Sequence, residues 1–97
     1  MFHLLTNATA NGDGTPVESP RRGRWKVTAD GTFDGSTVTI KSNGGSGSTY
    51  TSLGSDCEFE SAGHGGFILG EGENVLANVS NAGASTDVNA KMTYVGP

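Results

Sequence analysis

From Gly23 to Asp30 polar and apolar side chains alternate strictly. Trp25, Val27 and Ala29 share one face, and Arg24, Lys26 and Thr28 share the other. A period of two marks a strand with one buried and one wetted face. The same rhythm returns at Thr37–Lys41, with Val38 and Ile40 inward. It returns at Asp56–Glu60 (Cys57 and Phe59 inward) and at Asn74–Ser80 (Val75, Ala77 and Val79). A last long strand, Thr86–Val95, aligns Val88, Ala90, Met92 and Tyr94. Three weaker segments complete the set. Phe2–Ala8 opens with Phe2, Leu4 and Leu5, Thr49–Leu53 is anchored by Tyr50, and Phe67-Ile68-Leu69 is a short apolar run. Thr15–Glu18 is expected at a sheet edge, because Pro16 and Pro20 lack the N–H that an inner strand must donate.

Between these runs stand turn residues: Asn11-Gly12-Asp13-Gly14, Asp30–Gly35, Asn43–Ser48, Ala62–Gly66, Gly70-Glu71-Gly72 and Asn81–Ser85. The Asp30–Gly35 turn is expected to close a hairpin between its flanking strands, with Phe33 plugging the end of the core. Asn81–Ser85 is read as a second hairpin loop. The pattern predicts one all-β domain over residues 1–97, an antiparallel two-sheet β-sandwich of eight or nine short strands, with jelly-roll-like or immunoglobulin-like connections. Composition agrees: 16 glycines, and no cluster of the residues that fill helices. The hydrophobic share is only 33 %. A chain this size removes roughly 60–65 % of its unfolded surface from water. Its core is therefore thin, and docking on a partner or on its own copies would add stability.

Chemistry enters sparsely. The single cysteine, Cys57, has no partner for an intrachain disulfide and lies among Asp56, Glu58 and Glu60, which disfavour a thiolate. It is read as a buried core residue. His3 and His64 lie in separate segments, so no acid–base pair is expected. Gly45-Ser46-Gly47-Ser48 resembles a nucleophile elbow in spelling only, since no strand–turn–helix surrounds it. One Cys and two distant His make no zinc set. Asp30 with Asp34, and Asn11 with Asp13, offer loop oxygens to a hard cation, but the same residues are ordinary turn formers. No enzyme activity, cofactor or metal is expected. The chain is acidic, with a net charge of −4, which disfavours binding to nucleic acid. No apolar run reaches the length of a membrane span. The first residues lack a signal-peptide pattern, so assembly in a reducing cytoplasm is expected. In that setting the glycosylation patterns Asn7-Ala8-Thr9 and Asn78-Val79-Ser80 carry no meaning.

Two features suit docking. Arg21, Arg22 and Arg24 concentrate positive charge in an acidic chain, either to grip carboxylates on a neighbour or as a solvated approach to a strand. Phe2 and Leu4, with Leu5, open a strand that adds to a neighbour's sheet edge or pairs within the chain.

The order of signals resembles a group of small virion structural proteins of tailed bacteriophages. The likeness runs from Leu4-Leu5-Thr6-Asn7-Ala8-Thr9-Ala10-Asn11-Gly12 through Gly23-Arg24-Trp25-Lys26-Val27-Thr28-Ala29-Asp30-Gly31-Thr32-Phe33 and Thr37-Val38-Thr39-Ile40. It closes with Val75–Val79, the loop Asn81-Ala82-Gly83-Ala84-Ser85 and the terminal strand. The resemblance implies a sandwich that decorates or cements the exterior of the virion head, with the major capsid protein and copies of itself, as a trimer for instance, as partners. A place in the tail, neck or fibre is the alternative. A carbohydrate-binding module for host attachment is a third reading, with Tyr50 as its stacking residue.

Overall fold

A computed structural model describes residues 2–45 and 47–97. Ser46, in the loop expected at 43–48, lies outside the described residues. The described residues form ten strands: β1 (Phe2–Ala8), β2 (Gly12–Asp13), β3 (Val17–Glu18), β4 (Gly23–Thr32), β5 (Thr37–Ser42), β6 (Thr51–Ser52), β7 (Glu58–Phe59), β8 (Gly63–Leu69), β9 (Asn74–Ser80) and β10 (Asp87–Gly96). One turn of 3-10 helix, Ser55–Cys57, precedes β7.

The strands make two antiparallel sheets. Sheet A runs β1-β10-β4-β8. In sheet B, β9 and β5 are the inner strands; β2 and β3 both pair with β9, while β6 and β7 both pair with β5. β2/β3 and β6/β7 are thus two interrupted edge strands. Pro16 falls in the first gap, where a missing N–H costs nothing. Joined, they give eight strands in two layers of four. Every connection crosses from one sheet to the other except that from β5 to β6/β7. This is the order of an eight-stranded jelly roll, and it excludes the immunoglobulin-like alternative.

Two sequence-based expectations change accordingly. β4 and β5 do not form a hairpin: β4 pairs with β10 and β8, and β5 with β9, β6 and β7. The Asn81–Ser85 loop likewise joins β9 in sheet B to β10 in sheet A. Alternation reports which face is buried, and it is identical whether the next strand lies beside or opposite. The loop around Phe33 therefore spans the core instead of one sheet, and Phe33 closes its end at 8 % exposure.

The inner faces supply the core as the alternation foretold: Trp25, Val27 and Ala29 of β4, Val38 and Ile40 of β5, Val75, Ala77 and Val79 of β9, Val88, Ala90 and Met92 of β10. Cys57 and Phe59 join them. Side-chain hydrogen bonds tie the loops at both ends. At one end the Thr86 hydroxyl donates to the Phe33 carbonyl (2.9 Å) and accepts from the Gly83 N–H (2.8 Å). Asp34 accepts from the Ser85 N–H (2.8 Å), and Asn11 from the Ala82 N–H (2.7 Å). At the other end the Glu73 carboxylate accepts from the Gly70 N–H (2.9 Å) and from the Ser42 hydroxyl.

Candidate docking face

The outer face of sheet A is built from the polar positions of the alternation. Arg24, Lys26, Thr28 and Asp30 point outward from β4, and Asn89, Lys91 and Thr93 from β10. β8 adds His64, Gly66 and Ile68. Register sets these side chains in rows. His3, Lys91, Thr28 and His64 cross the sheet in one row, and Thr93, Lys26 and Gly66 in the next. Arg24 stands opposite Ile68 in the row after that. Val95 follows inward Tyr94 and so faces outward beside this corner, where a register shift between Tyr94 and Gly96 leaves it without a partner on β4.

The large exposed apolar side chains among the described residues gather here: Ile68 is 73 % and Val95 56 % exposed. With Phe67, Leu53, Arg24 and Lys26 they line an open trough of about 780 Å³ that reaches the β8 edge. Its floor is bare. A side-chain carbon at Gly66 would meet nothing closer than the Trp25 carbonyl at 3.8 Å. Gly65, facing inward, is the opposite case. A carbon there would lie 2.3 Å from the Asp56 carbonyl, so the 3-10 turn packs directly under β8. Ala62–Gly66 was expected as a turn. Instead the strand begins at Gly63, because β4 supplies the ladder and the 3-10 turn needs a residue without Cβ at position 65.

Charge is divided across the molecule. Of six Lys and Arg residues, Arg24, Lys26 and Lys91 stand on this outer face, and Arg21 and Arg22 lie in the loop leading into β4; Lys41 alone belongs to sheet B. Asp30 and Asp87 are the face's own acids, and both sit toward the opposite end from Arg24. Over the free edge of β8 lie Asp56, Glu58 and Glu60, beside His64 and Gly66.

The residues singled out from sequence are now placed. Leu4 is corrected: it is buried at 2 % exposure in the chain's own core, because β1 pairs with β10 and turns Leu4 inward, so it is not offered to a partner. Phe2 is half-buried against Trp25, with ring centroids 5.8 Å apart. Tyr94 packs edge-on to Trp25 at 5.3 Å, and the Arg21 guanidinium lies 4.3 Å over the Tyr94 ring. All three arginines are exposed, but only Arg21 is seen to cap an aromatic stack. His3 and His64 stand on opposite edge strands of one sheet, and His64 Nδ1 pairs with the Thr28 hydroxyl at 3.1 Å. Cys57 is buried, and burial together with the Asp56 carboxylate pushes its pKa up, as expected of a packed thiol. Asn11, Asp13 and Asp34 spend oxygens on Ala82, Asn78 and Ser85. Among the described residues no three His, Cys, Asp or Glu side chains converge to hold a metal.

Sequence reasoning missed Ile68, Val95 and Gly66. The signal for Ile68 was present: between inward Phe67 and Leu69 the middle residue of a strand must face out. The same signal was present for Val95, which follows inward Tyr94 in the last strand. No protein-family model matches the chain, and neither a curated protein nor a solved structure matches it, so its function is read from its own geometry.

Proposed function

We propose that this protein is a non-enzymatic decoration, or cement, protein of a tailed-bacteriophage capsid. It binds the outer surface of the assembled head through the outer face of sheet A and bridges neighbouring major capsid subunits. The observation that carries the reading is the exposed pair Ile68 and Val95 beside Arg24 and Lys26, on a sheet whose other face packs on the core. Two exposed apolar side chains rimmed by charge make a small patch, of the size suited to one weak contact among many repeated ones. The face is open and shallow, which suits a lattice better than a small substrate. Jelly rolls recur in viral capsid proteins, though also in lectins and cupins, so the fold supports the reading only by analogy. The sequence resemblance points the same way.

The mechanism is mechanical. Many weak contacts repeated over a shell act together. A protein that prefers the assembled lattice to free subunits stabilises that lattice by mass action. Virions carrying and lacking this protein separate the outcomes. Heating and low salt should release DNA earlier from particles without it, and imaging should find many copies spread over the shell. Equal survival, or a few copies at one vertex as in a tail or neck component, overturns the proposal.

A further inference from the structure

We infer that the trough at the β8 corner takes an acidic, apolar segment of a protein partner: one apolar side chain seats on the bare floor at Gly66, and neighbouring carboxylates meet Arg24 and Lys26. The inference rests on the docking reading above and names the chemistry of that partner. Three observations converge. Gly66 is exposed, and a Cβ there would meet nothing closer than the Trp25 carbonyl at 3.8 Å, so the backbone lies bare among the longer side chains that line the trough and leaves room there for a partner's side chain. Ile68 and His64 wall the socket along β8, and Lys26 stands directly across from it. Arg24 and Lys26 lie on the β4 side, whereas Asp56, Glu58 and Glu60 lie beyond the β8 edge.

This division orients the ligand. Its carboxylates are drawn toward β4, where guanidinium and ammonium donors make charge-assisted hydrogen bonds. They are repelled from the β8 edge, which rejects the reversed placement. Nucleic acid also offers negative charge, but it brings no apolar knob for the socket. A second copy of this chain is the other competing occupant.

Gly66→Val tests the socket without threatening the fold. The added carbons enter open space, and a β-branched residue suits a strand. The probes are an extended peptide of about ten residues, one strand's length, with Leu and Glu taking turns at every second position and Ser between them so that both share one face, its Lys–Leu counterpart and a short DNA duplex. Backbone amide shifts of the labelled full chain report where each binds. The Glu–Leu peptide should shift residues 64–68, Arg24, Lys26 and Val95. Its affinity should fall about tenfold or more in Gly66→Val and in Ile68→Asp, the loss expected when a central contact is removed. Lys26→Glu should weaken it less, and added salt should weaken it in the parent chain. Equal binding of the Lys–Leu peptide, preference for DNA, or unchanged affinity in Gly66→Val overturns the inference. So does a dimer of the free protein that Ile68→Asp dissociates. Failure of the capsid reading shows instead in virion survival, which the peptide measurement does not involve.

Discussion

The two outer faces of the sandwich treat apolar residues differently. Sheet B shows Thr37, Thr39 and Lys41 from β5, and Asn74, Asn78 and Ser80 from β9. Its one large outward apolar residue, Leu76, is only 3 % exposed and lies outside the main core cluster. Its register partner Lys41 is itself half-buried, as a lysine stem laid along an apolar neighbour would be. Sheet A leaves Ile68 and Val95 open. The same chain, with the same scarcity of apolar residues, covers one and displays two. The display is therefore not a by-product of a thin core: a sheet face in this fold has the means to hide an apolar side chain, and sheet A's corner does not use them.

The sharpest way to break that contrast is to truncate one residue on each face. Leu76→Ala should cost about 2–5 kcal/mol, the range for removing a buried leucine. Ile68→Ala should change stability by less than about 0.5 kcal/mol, as exposed positions do. Urea midpoints at unchanged slope read both. Similar losses at the two sites would mean that Ile68 is packed and is no docking residue.

Neighbouring glycines sharpen the contrast within one strand. Gly65→Ala drives a methyl into the Asp56 carbonyl and should cost about 1–3 kcal/mol, the usual toll of overpacking. Gly66→Ala points to open space and should be neutral, or stabilising by up to about 1 kcal/mol, since glycine weakens a strand. Thermal melts of the two variants give the order directly, and a reversed order would exchange the inner and outer faces of β8. Smaller still is the arginine pair. Arg21→Ala removes the cation over Tyr94 and should cost about 0.5–1 kcal/mol. Arg22→Ala should cost nothing measurable, so equal effects would dissolve the distinction between a structural and a free arginine.

How much of this was legible in the letters follows from what alternation encodes. Trp25, Val27 and Ala29, or Val88, Ala90 and Met92, declare their inward face because a strand has only two faces. They do not declare the neighbour, which is why β4 and β5 read as a hairpin and stand in different sheets. Leu4 misled for a related reason. An apolar run at a chain's start looks the same whether it waits for a partner or, as here, pairs with a strand more than eighty residues away. Ala62-Gly63-His64-Gly65-Gly66 read as a turn because glycine usually marks one. Here the glycine at position 65 answers to the close approach of Asp56, a contact between segments that composition does not record. The arginines were visible, but not their division of labour, since Arg21's role depends on Tyr94 arriving from the far end of the chain.

Cys57 gives the gentlest probe of the same corner, because its thiol lies under β8, 4.0 Å from the Gly66 carbonyl. Burial, and secondarily the Asp56 carboxylate, raise its pKa in the folded chain. The folded state then keeps its proton at a pH where the unfolded chain has begun to lose it. The thiol's contribution to stability is thus intact below the free thiol's pKa and declines as pH climbs from there through the raised folded value. Stability curves of the parent and Cys57→Ala should run parallel near neutrality and converge or cross at alkaline pH. Alkylation of Cys57 near neutrality should proceed only as fast as the chain opens. Rapid labelling of fully folded protein would show that the β8 edge lifts away from the 3-10 turn on its own. The floor at Gly66 would then not be rigid, and the corner that displays Ile68 would be a loose edge instead of a built surface.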